Sequence, residues 1–352
     1  MIDNSPEPPF RPPLNFTIAW TVFVMLTFLA VGFFAQVMQA AWGMWFSEVI
    51  VLLGLSVIGY QLLGFRPLRA MGLQRFDGRA FGLGFAFGLL NYVAWAVPLI
   101  ALTEVVFPKQ MLDRADTSYI FLRAGPLELA VMVLAVGIAA PLGEEFFFRG
   151  FLQRGLELHR GAARAIVVTA IAFSAFHLDL VGLTVRFELG VLFGLLAWKS
   201  GSLWPSLGAH SAHNFISIAL LLANPDADRT TVTEVGWVMP LGLLVLGNAA
   251  LFVLVRSTAS WFPVKEPMDW VTIPERPSPA KLFRPWIVAG VIAVALILAV
   301  DLRGVELNLL DVKLQTGKTL SERGDVKDLR AKVRRGDAEL VDYERLVRSL
   351  KN

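Results

Sequence analysis

Long apolar runs separated by short polar stretches dominate the pattern of this chain. A helix needs about 20 mostly apolar residues to cross a hydrocarbon core. By that measure the pattern predicts spans near residues 16–40, 44–64, 80–106, 127–147, 162–178, 185–200, 203–223, 238–256 and 286–300. The fifth to seventh spans carry histidine and other polar groups, as helices around a buried site would. We therefore predict an all-α, polytopic transmembrane helix bundle of about 8–9 spans.

Composition agrees with a multi-pass protein of the lipid bilayer. Of 352 residues, 55% are hydrophobic and only 17% are charged, against about 25% charged in soluble domains. The absence of cysteine excludes disulfides and cysteine-ligated metal sites. The formal net charge of +3 is spread over the loops, so the sequence does not indicate a nucleic-acid partner.

The loop charges predict which end of the bundle faces the cytoplasm, because Lys and Arg favour that side. Basic clusters follow the second, fourth and eighth predicted spans: Arg66, Arg69, Arg75 and Arg79; Arg149, Arg154, Arg160 and Arg164; Arg256, Lys265, Arg276, Lys281 and Arg284. The loop at 224–237 is acidic, with Asp226, Asp228 and Glu234. We expect a cytoplasmic N-terminus in the inner membrane of a prokaryotic cell.

The same pattern divides the chain into four parts. They are N-terminal transmembrane helices at 1–124, a transmembrane core at 125–224, further helices with a Pro-rich linker (257–285) at 225–300, and a charged tail at 301–352. Helical spacing predicts two short amphipathic helices in the tail, broken at Gly336, from Val326, Leu329 and Val333 and from Leu340, Tyr343, Val347 and Leu350. The tail is a candidate site for a protein partner. An odd number of spans would place it outside and an even number inside, and both alternatives stay open.

Three ionisable groups interrupt the fourth apolar run, at Glu144, Glu145 and Arg149. A charge at membrane depth costs about 2.5–3.5 kcal/mol on insertion scales, so such residues usually pair and mark function. Glu145 and Arg149 are four residues apart and can pair on one helix face. Glu144 would then be the less compensated carboxylate and a candidate general base. The alternative is a cluster of long side chains that reach the membrane surface from a helix end.

Two further apolar spans each carry a histidine in a pair at helical spacing. Phe173 and His177 in FSAFH, and His210 and Asn214 in HSAHN, are four residues apart and share a helix face. Two helices that each present one histidine, next to a helix with two glutamates, form a candidate site.

Other chemistries lack their residues in this sequence. There is no HExxH zinc motif and no Gly-rich phosphate loop. Ser174 and Ser211 lie in predicted spans, but neither lies in a GxSxG elbow. Asp179 has no evident mate for a pair of intramembrane aspartates. We assign His159 to a solvated basic loop and His213 to a structural role.

The three motifs together make the sequence resemble the CPBP intramembrane proteases, also called the CAAX protease and bacteriocin-processing (Abi) family. Eukaryotic relatives are the Ras-converting CAAX endopeptidases. The family motifs EExxxR, FxxxH and HxxxN correspond to Glu144-Glu145-FFF-Arg149, Phe173-SAF-His177 and His210-SAH-Asn214. The stretch FELGVLFGLLAWKSGSLWPSLGAHSAHN also resembles the glycine-spaced helix and turn before the third motif. The resemblance covers about residues 125–222.

The resemblance implies an intramembrane endopeptidase that hydrolyses a peptide bond with a glutamate-activated water. Glu144 would be the general base, and His177 would help to hold the water. His210 and Asn214 would stabilise the oxyanion, since an imidazole and an amide can both donate to it. The implied catalytic residues are Glu144, Glu145, His177, His210 and Asn214, with Arg149 and Phe173 as structural and electrostatic support. The substrate would be a peptide or a membrane-associated protein.

The resemblance also raises the question of a metal, because the family has been described as metal-dependent. Glu144, His177 and His210 offer the nitrogen and oxygen ligands that Zn²⁺ accepts, which would make the protein a metalloprotease. Adjacent glutamates such as Glu144 and Glu145 are awkward joint ligands of one ion. We therefore favour a reaction without a metal cofactor, with Zn²⁺ as the alternative.

Helix lengths place Glu144 and His210 in the cytoplasmic half of the membrane, whereas His177 looks too deep, at the far end of its span. Two other functions are considered: a catalytically inactive scaffold or immunity protein of the same fold, and a proton-coupled transporter. The intact motifs argue against the first. The sequence also lacks the inverted repeats with broken helices that would support a transporter.

Overall fold

The computed structural model describes residues 12–73, 75–122, 124–224, 238–258 and 277–351. The main helices in these ranges are α1 (Leu14–Met38), α2 (Ala40–Leu62), α3 (Gly78–Val106), α4 (Pro126–Arg160), α5 (Ala162–Phe176), α6 (Leu183–Ser200), α7 (Trp204–Ala223), α8 (Val238–Thr258), α9 (Pro279–Leu314), α10 (Gly324–Arg335) and α11 (Leu340–Ser349). Short helices lie between them at Pro67–Ala70, Lys109–Ala115, Tyr119–Leu122 and Lys318–Ser321. The all-α prediction is confirmed.

Within the described ranges, six helices are long and apolar enough to cross a membrane: α1, α2, α3, α4, α8 and the first part of α9, Pro279–Leu296. α5 is apolar but has 15 residues. α7, with 20 residues, carries His210 and Asn214 of the candidate site, whereas α6, with 18 residues, carries none of the predicted site residues. The total of about 8–9 spans stays a prediction. Residues 225–237 of the acidic loop and most of the Pro-rich linker at 257–285 lie outside the described residues.

Glycines let α7 lie close against α3. A Cβ at Gly84 would overlap the carbonyl oxygen of Pro205, and one at Gly88 would overlap that of Ala209. Small residues allow such close approach of backbones in a membrane, where van der Waals packing replaces the hydrophobic effect between helices. Because Ala209 precedes His210, this packing fixes the position of a predicted site residue.

The tail begins at a bend in α9. The backbone of Asp301 (φ −149°, ψ 54°) leaves the helical region, and its carboxylate accepts a hydrogen bond from the N–H of Gly304 at 3.0 Å. α10 and α11 lie at the predicted positions and pack on the second half of α9 around Leu307, Leu310, Leu314, Val326, Val333, Tyr343 and Val347. Gly336 separates them in a left-handed conformation (φ +86°). The apolar faces of both tail helices are therefore buried within the tail.

Ion pairs hold the tail against one end of the bundle. Arg334 on α10 pairs with Glu128 at the start of α4 (2.8 Å) and with Asp301. Gln39, between α1 and α2, donates to the other oxygen of Glu128 at 2.9 Å. A cavity of about 830 Å³ lies between the tail and this end of the bundle. α4 starts at this end of the bundle, beside the tail, and ends at the basic connection to α5. The tail and that connection therefore lie at opposite ends of the bundle.

Because the chain contains no cysteine, single cysteines can report on which side of the membrane each end lies. Arg345 on α11 has a side chain that is 76% exposed, and Arg164 near the start of α5 is exposed. We expect Arg345→Cys to react with an impermeant maleimide in intact cells, and Arg164→Cys to react only after permeabilisation. Reaction of both from the same side would contradict the arrangement of the tail.

Candidate active site

The hairpin of α4 and α5 brings Glu144 and His177 to the same depth. Gly161, at positive φ (+77°), makes the turn between the two helices. Glu144 precedes Arg160 by 16 residues and His177 follows Gly161 by 16 residues. Each therefore lies roughly 24 Å from the turn, at about 1.5 Å per residue. The expectation that His177 lies too deep is wrong, because depth in a hairpin is counted from its turn.

The end of α5 is fixed by a tight turn. Leu178 adopts a left-handed conformation (φ 52°), which costs an L residue about 1–2 kcal/mol. Asp179 compensates, since its carboxylate accepts backbone N–H bonds within the turn and pairs with Arg186 at 2.7 Å. Asp179, which had no evident mate in the sequence, thus stabilises the turn that presents His177.

Glu144 lies between two imidazole rings. Its Oε1 atom is 3.9 Å from His177 Nε2, and its Oε2 atom is 3.7 Å from His210 Nε2. Both distances exceed a hydrogen bond, and polar gaps of this size suit a water that contacts both groups. The side chain of Glu144 is 10% exposed and that of His177 is 28% exposed, so the site opens beside His177.

The second nitrogen of each ring is held by the protein. His177 Nδ1 is 2.9 Å from the carbonyl oxygen of Phe173, and His210 Nδ1 is 3.0 Å from Glu145 Oε1. Because a carbonyl oxygen only accepts, His177 carries its proton on Nδ1, and Nε2 of the neutral ring is an acceptor that faces Glu144. His210 donates from Nδ1 to the Glu145 carboxylate. Its Nε2 atom therefore carries a proton only when the ring is an imidazolium.

Arg149 and Glu145 form the predicted ion pair, and it is fully buried. Arg149 Nη1 is 2.8 Å from Glu145 Oε1, with both side chains 0% exposed. The guanidinium lies 4.4 Å from the ring centre of Phe173 and 5.1 Å from that of Phe193, where cation–π attraction stabilises it further. Arg149 Nη2 donates to the Gly190 carbonyl at 3.2 Å. The alternative of side chains that reach the membrane surface is therefore wrong for this pair.

The segment of α4 that carries the pair is π-helical, from Glu145 to Gln153. All nine of its residues are buried, including Phe146, Phe147 and Phe148 of the first motif. Phe148 meets Phe173 edge to face at 5.3 Å. π-helical turns occur frequently at functional sites, and here the turn surrounds the charged pair with aromatic rings.

Asn214 shares a face of α7 with His210 but is bonded to α4. Its Nδ2 atom donates to the carbonyl oxygen of Val136 at 2.7 Å, about two turns before Glu144. Val136 lies in another π-helical turn, Ala135–Ala139. The bond ties α7 to α4, and a role of Asn214 in stabilising an oxyanion stays a prediction.

Two residues near the site were missed by the sequence reasoning. The ring of Phe193 stacks on His210, with centroids 4.7 Å apart and planes 20° apart. Glu48 on α2 is 4% exposed and contacts Gly143, the residue before Glu144. Glu48 is the only acidic residue in the apolar run 44–64, and that position was an available signal.

The two remaining histidines lie apart from the gaps around Glu144. The His213 ring packs 5.2 Å from that of Tyr92, and its Nδ1 atom is buried without a hydrogen-bond partner. His159 Nε2 lies 2.9 Å from the carbonyl oxygen of Pro12. His159 is exposed, as expected, but it lies in the last turn of α4 rather than in a loop. The structural role of His213 stays a prediction.

The candidate metal ligands do not fit a metal ion in this arrangement. Among the described residues, no group of three or more His, Cys, Asp or Glu side chains is placed to hold one. In the site, the two imidazoles approach different oxygens of Glu144, so the three side chains do not converge on one point. The metalloprotease interpretation is not supported.

Comparison with family models identifies the segment that carries the site. Residues 126–216 match the family model described as type II CAAX prenyl endopeptidase Rce1-like. The similarity to this Rce1-like family covers the site but less than half of the chain. The match includes all three motifs, so the resemblance to CAAX proteases is confirmed, and it indicates a protease in an integral membrane protein. No curated protein and no solved structure matches the chain significantly.

Removing Arg149 from the Rce1-like segment would leave Glu145 as a buried charge without a counter-ion. We expect Arg149→Met to lower the free energy of unfolding by about 3–5 kcal/mol, the cost of breaking a buried pair. Reversible unfolding with SDS in mixed micelles measures it.

The matched control for this variant is Arg348→Met. Arg348 pairs with Glu344 at the same spacing of four residues on α11, where its side chain is 57% exposed. Exposed pairs contribute little to stability, so the control should unfold like the wild type. Equal losses in the two variants would argue against a special role for the buried pair.

Proposed function

We propose that the protein is an intramembrane endopeptidase in which Glu144 activates the attacking water. The observation that carries the proposal is the position of Glu144 beside two imidazole nitrogens in the Rce1-like segment. At 3.9 and 3.7 Å they are too far for direct hydrogen bonds and near enough for a bridging water. The substrate is a peptide or a membrane-associated protein, because the groups involved lie within apolar helices.

His177 and Glu144 orient the water. His177 Nε2 and the ionised Glu144 Oε1 both accept hydrogen bonds, so a water between them donates both of its hydrogens to the protein. The lone pairs of the water oxygen then point away from the two groups, toward the carbonyl carbon of the substrate. Glu144 takes a proton as the water attacks and passes it to the leaving amine.

His210 and Asn214 are the proposed donors to the oxyanion. His210 donates from Nε2 as an imidazolium, because the proton on its Nδ1 is bonded to Glu145. Its charge and that of Arg149 then balance the two carboxylates, so the site is neutral. Asn214 has a second amide hydrogen besides the one bonded to α4. Fixed donors stabilise an oxyanion most where water is scarce.

The direct test is cleavage of a fluorogenic peptide library by the full-length protein in nanodiscs. We expect Glu144→Gln to lower kcat/KM by about 10²–10⁴-fold because the base is lost, and His177→Ala to lower it at least about tenfold. His159→Ala is the matched control, since His159 lies outside the site.

The same assay separates the alternatives. Unchanged cleavage by Glu144→Gln would refute the mechanism. A wild-type protein that cleaves no member of the library would favour the inactive scaffold or immunity protein.

A chelator arm of the assay addresses the cofactor. We propose that no metal takes part, so 1,10-phenanthroline should leave kcat/KM of the wild type unchanged. Loss of activity that added Zn²⁺ restores would instead favour the zinc alternative, with Glu144, His177 and His210 as ligands.

The proposal also concerns the half of the membrane in which the active site lies and the partners of the protein. The position of the active site in the cytoplasmic half of the membrane stays a prediction; the cysteine labelling tests only which side the α4–α5 turn faces. A protein partner of the tail would contact its charged outer surface, because the apolar faces of α10 and α11 are already buried.

A further inference from the structure

A carboxyl group outside the three motifs lies beside the candidate site. Glu48 on α2 is 4% exposed, and its Oε2 atom is buried without a hydrogen-bond partner. A Cβ at Gly143 would lie 2.5 Å from the carbonyl oxygen of Glu48 and 2.7 Å from its Oε2 atom. The glycine thus lets α2 and α4 touch, and it places the Glu48 carboxyl against the residue that precedes Glu144.

The surroundings of Glu48 contain no compensating cation. From α1, Gln36 approaches and donates to the neighbouring Ser47 at 2.7 Å. From α9, Ala293 and Val294 pack on this part of α2 as apolar neighbours. α4 supplies Glu144, the titratable group that faces Glu48. Among the described residues, no Arg, Lys or His forms an ion pair with Glu48.

Charge balance decides which carboxyl is neutral. Glu144 and Glu145 are balanced by Arg149 and the imidazolium of His210, so an ionised Glu48 would add one uncompensated negative charge to a buried region. Desolvation strongly disfavours such a charge. The neutral carboxylic acid has an O–H group that can donate a hydrogen bond.

Glu48 Oε2 and Glu144 Oε2 are two of the three buried carboxyl oxygens in this region that lack partners, and Glu145 Oε2 is the third. We propose that Glu48 is a positioning residue that keeps its proton and donates it as a hydrogen bond to the Glu144 carboxylate. One shared proton then satisfies both oxygens, as buried polar groups require. The bond favours the ionised form of Glu144 and fixes the direction of its side chain. The inference deepens the proposed function and rests on Glu144 as the base.

Infrared spectroscopy tests the proton without any need for catalysis. In full-length protein in nanodiscs at neutral pH, we expect the wild type to show a protonated-carboxyl C=O band that Glu48→Gln and Glu48→Met both lose. Glu344→Gln is the control, because Glu344 lies in the tail, where hydrogen bonds from Arg348 lower the pKa of its carboxyl and keep it ionised. Spectra of the Glu48 variants that superimpose on the wild type would overturn the proposal, whether or not the protein cleaves peptides.

The pH profile of kcat/KM separates positioning from packing. The amide of Glu48→Gln can still donate a hydrogen bond to Glu144. The acid limb of its kcat/KM profile should therefore stay within about 0.3 pH unit of that of the wild type. Glu48→Met fills similar space without a donor, and its acid limb should move to higher pH by about one unit while the plateau stays within about threefold. A uniform loss in Glu48→Met at every pH, with an unmoved acid limb, would show a packing role only and reject the inference.

Discussion

The buried ion pair between Glu145 and Arg149 is the interaction on which the candidate site depends. It neutralises one of two adjacent carboxylates, and the same Glu145 oxygen holds the ring of His210 toward Glu144. The rings of Phe173 and Phe193 lie against the guanidinium, which also donates to the carbonyl oxygen of Gly190. Two neighbouring glutamates therefore have different environments, and enzyme sites commonly assign different roles to paired carboxylates in this way.

Close helix packing sets the distances within the site. A Cβ at Gly190 on α6 would lie 2.8 Å from the Cα atom of Ala170 on α5, so α5 and α6 approach as closely as backbones allow. Gly143 gives the same freedom between α4 and α2. Since the proposed water has to bridge Glu144 Oε1 and His177 Nε2, which are 3.9 Å apart, separating these helices by a fraction of an ångström would alter the site more than the fold.

Local spacing explains what the sequence could predict. The Glu145–Arg149 pair follows from a separation of four residues on one helix, and the tail helices follow from periodic apolar positions; both depend on near neighbours. The depth of His177 was misjudged because span edges, rather than the α4–α5 turn, served as the reference. Gly161 makes the turn between α4 and α5. Glu144 and His177 lie about the same number of residues from this turn, so they lie at the same depth.

Contacts between distant segments explain what was missed. Glu48 belongs to no motif, and only the crossing of α2 and α4 at Gly143 brings it to Glu144. The docking of the tail depends on Arg334 and Glu128, which are far apart in sequence. No periodicity records such pairs. The amino-acid sequence of one protein therefore indicates its helices and motifs, but not which helices touch.

The most direct measurement is a structure of the wild-type protein in lipid at a resolution that shows ordered water. The proposed mechanism requires one water within hydrogen-bonding distance of both Glu144 Oε1 and His177 Nε2. The lone pairs of that water should face the entrance beside His177. A direct contact between Glu144 and His177 that leaves no room for water, or a metal ion bound at that point, would contradict it.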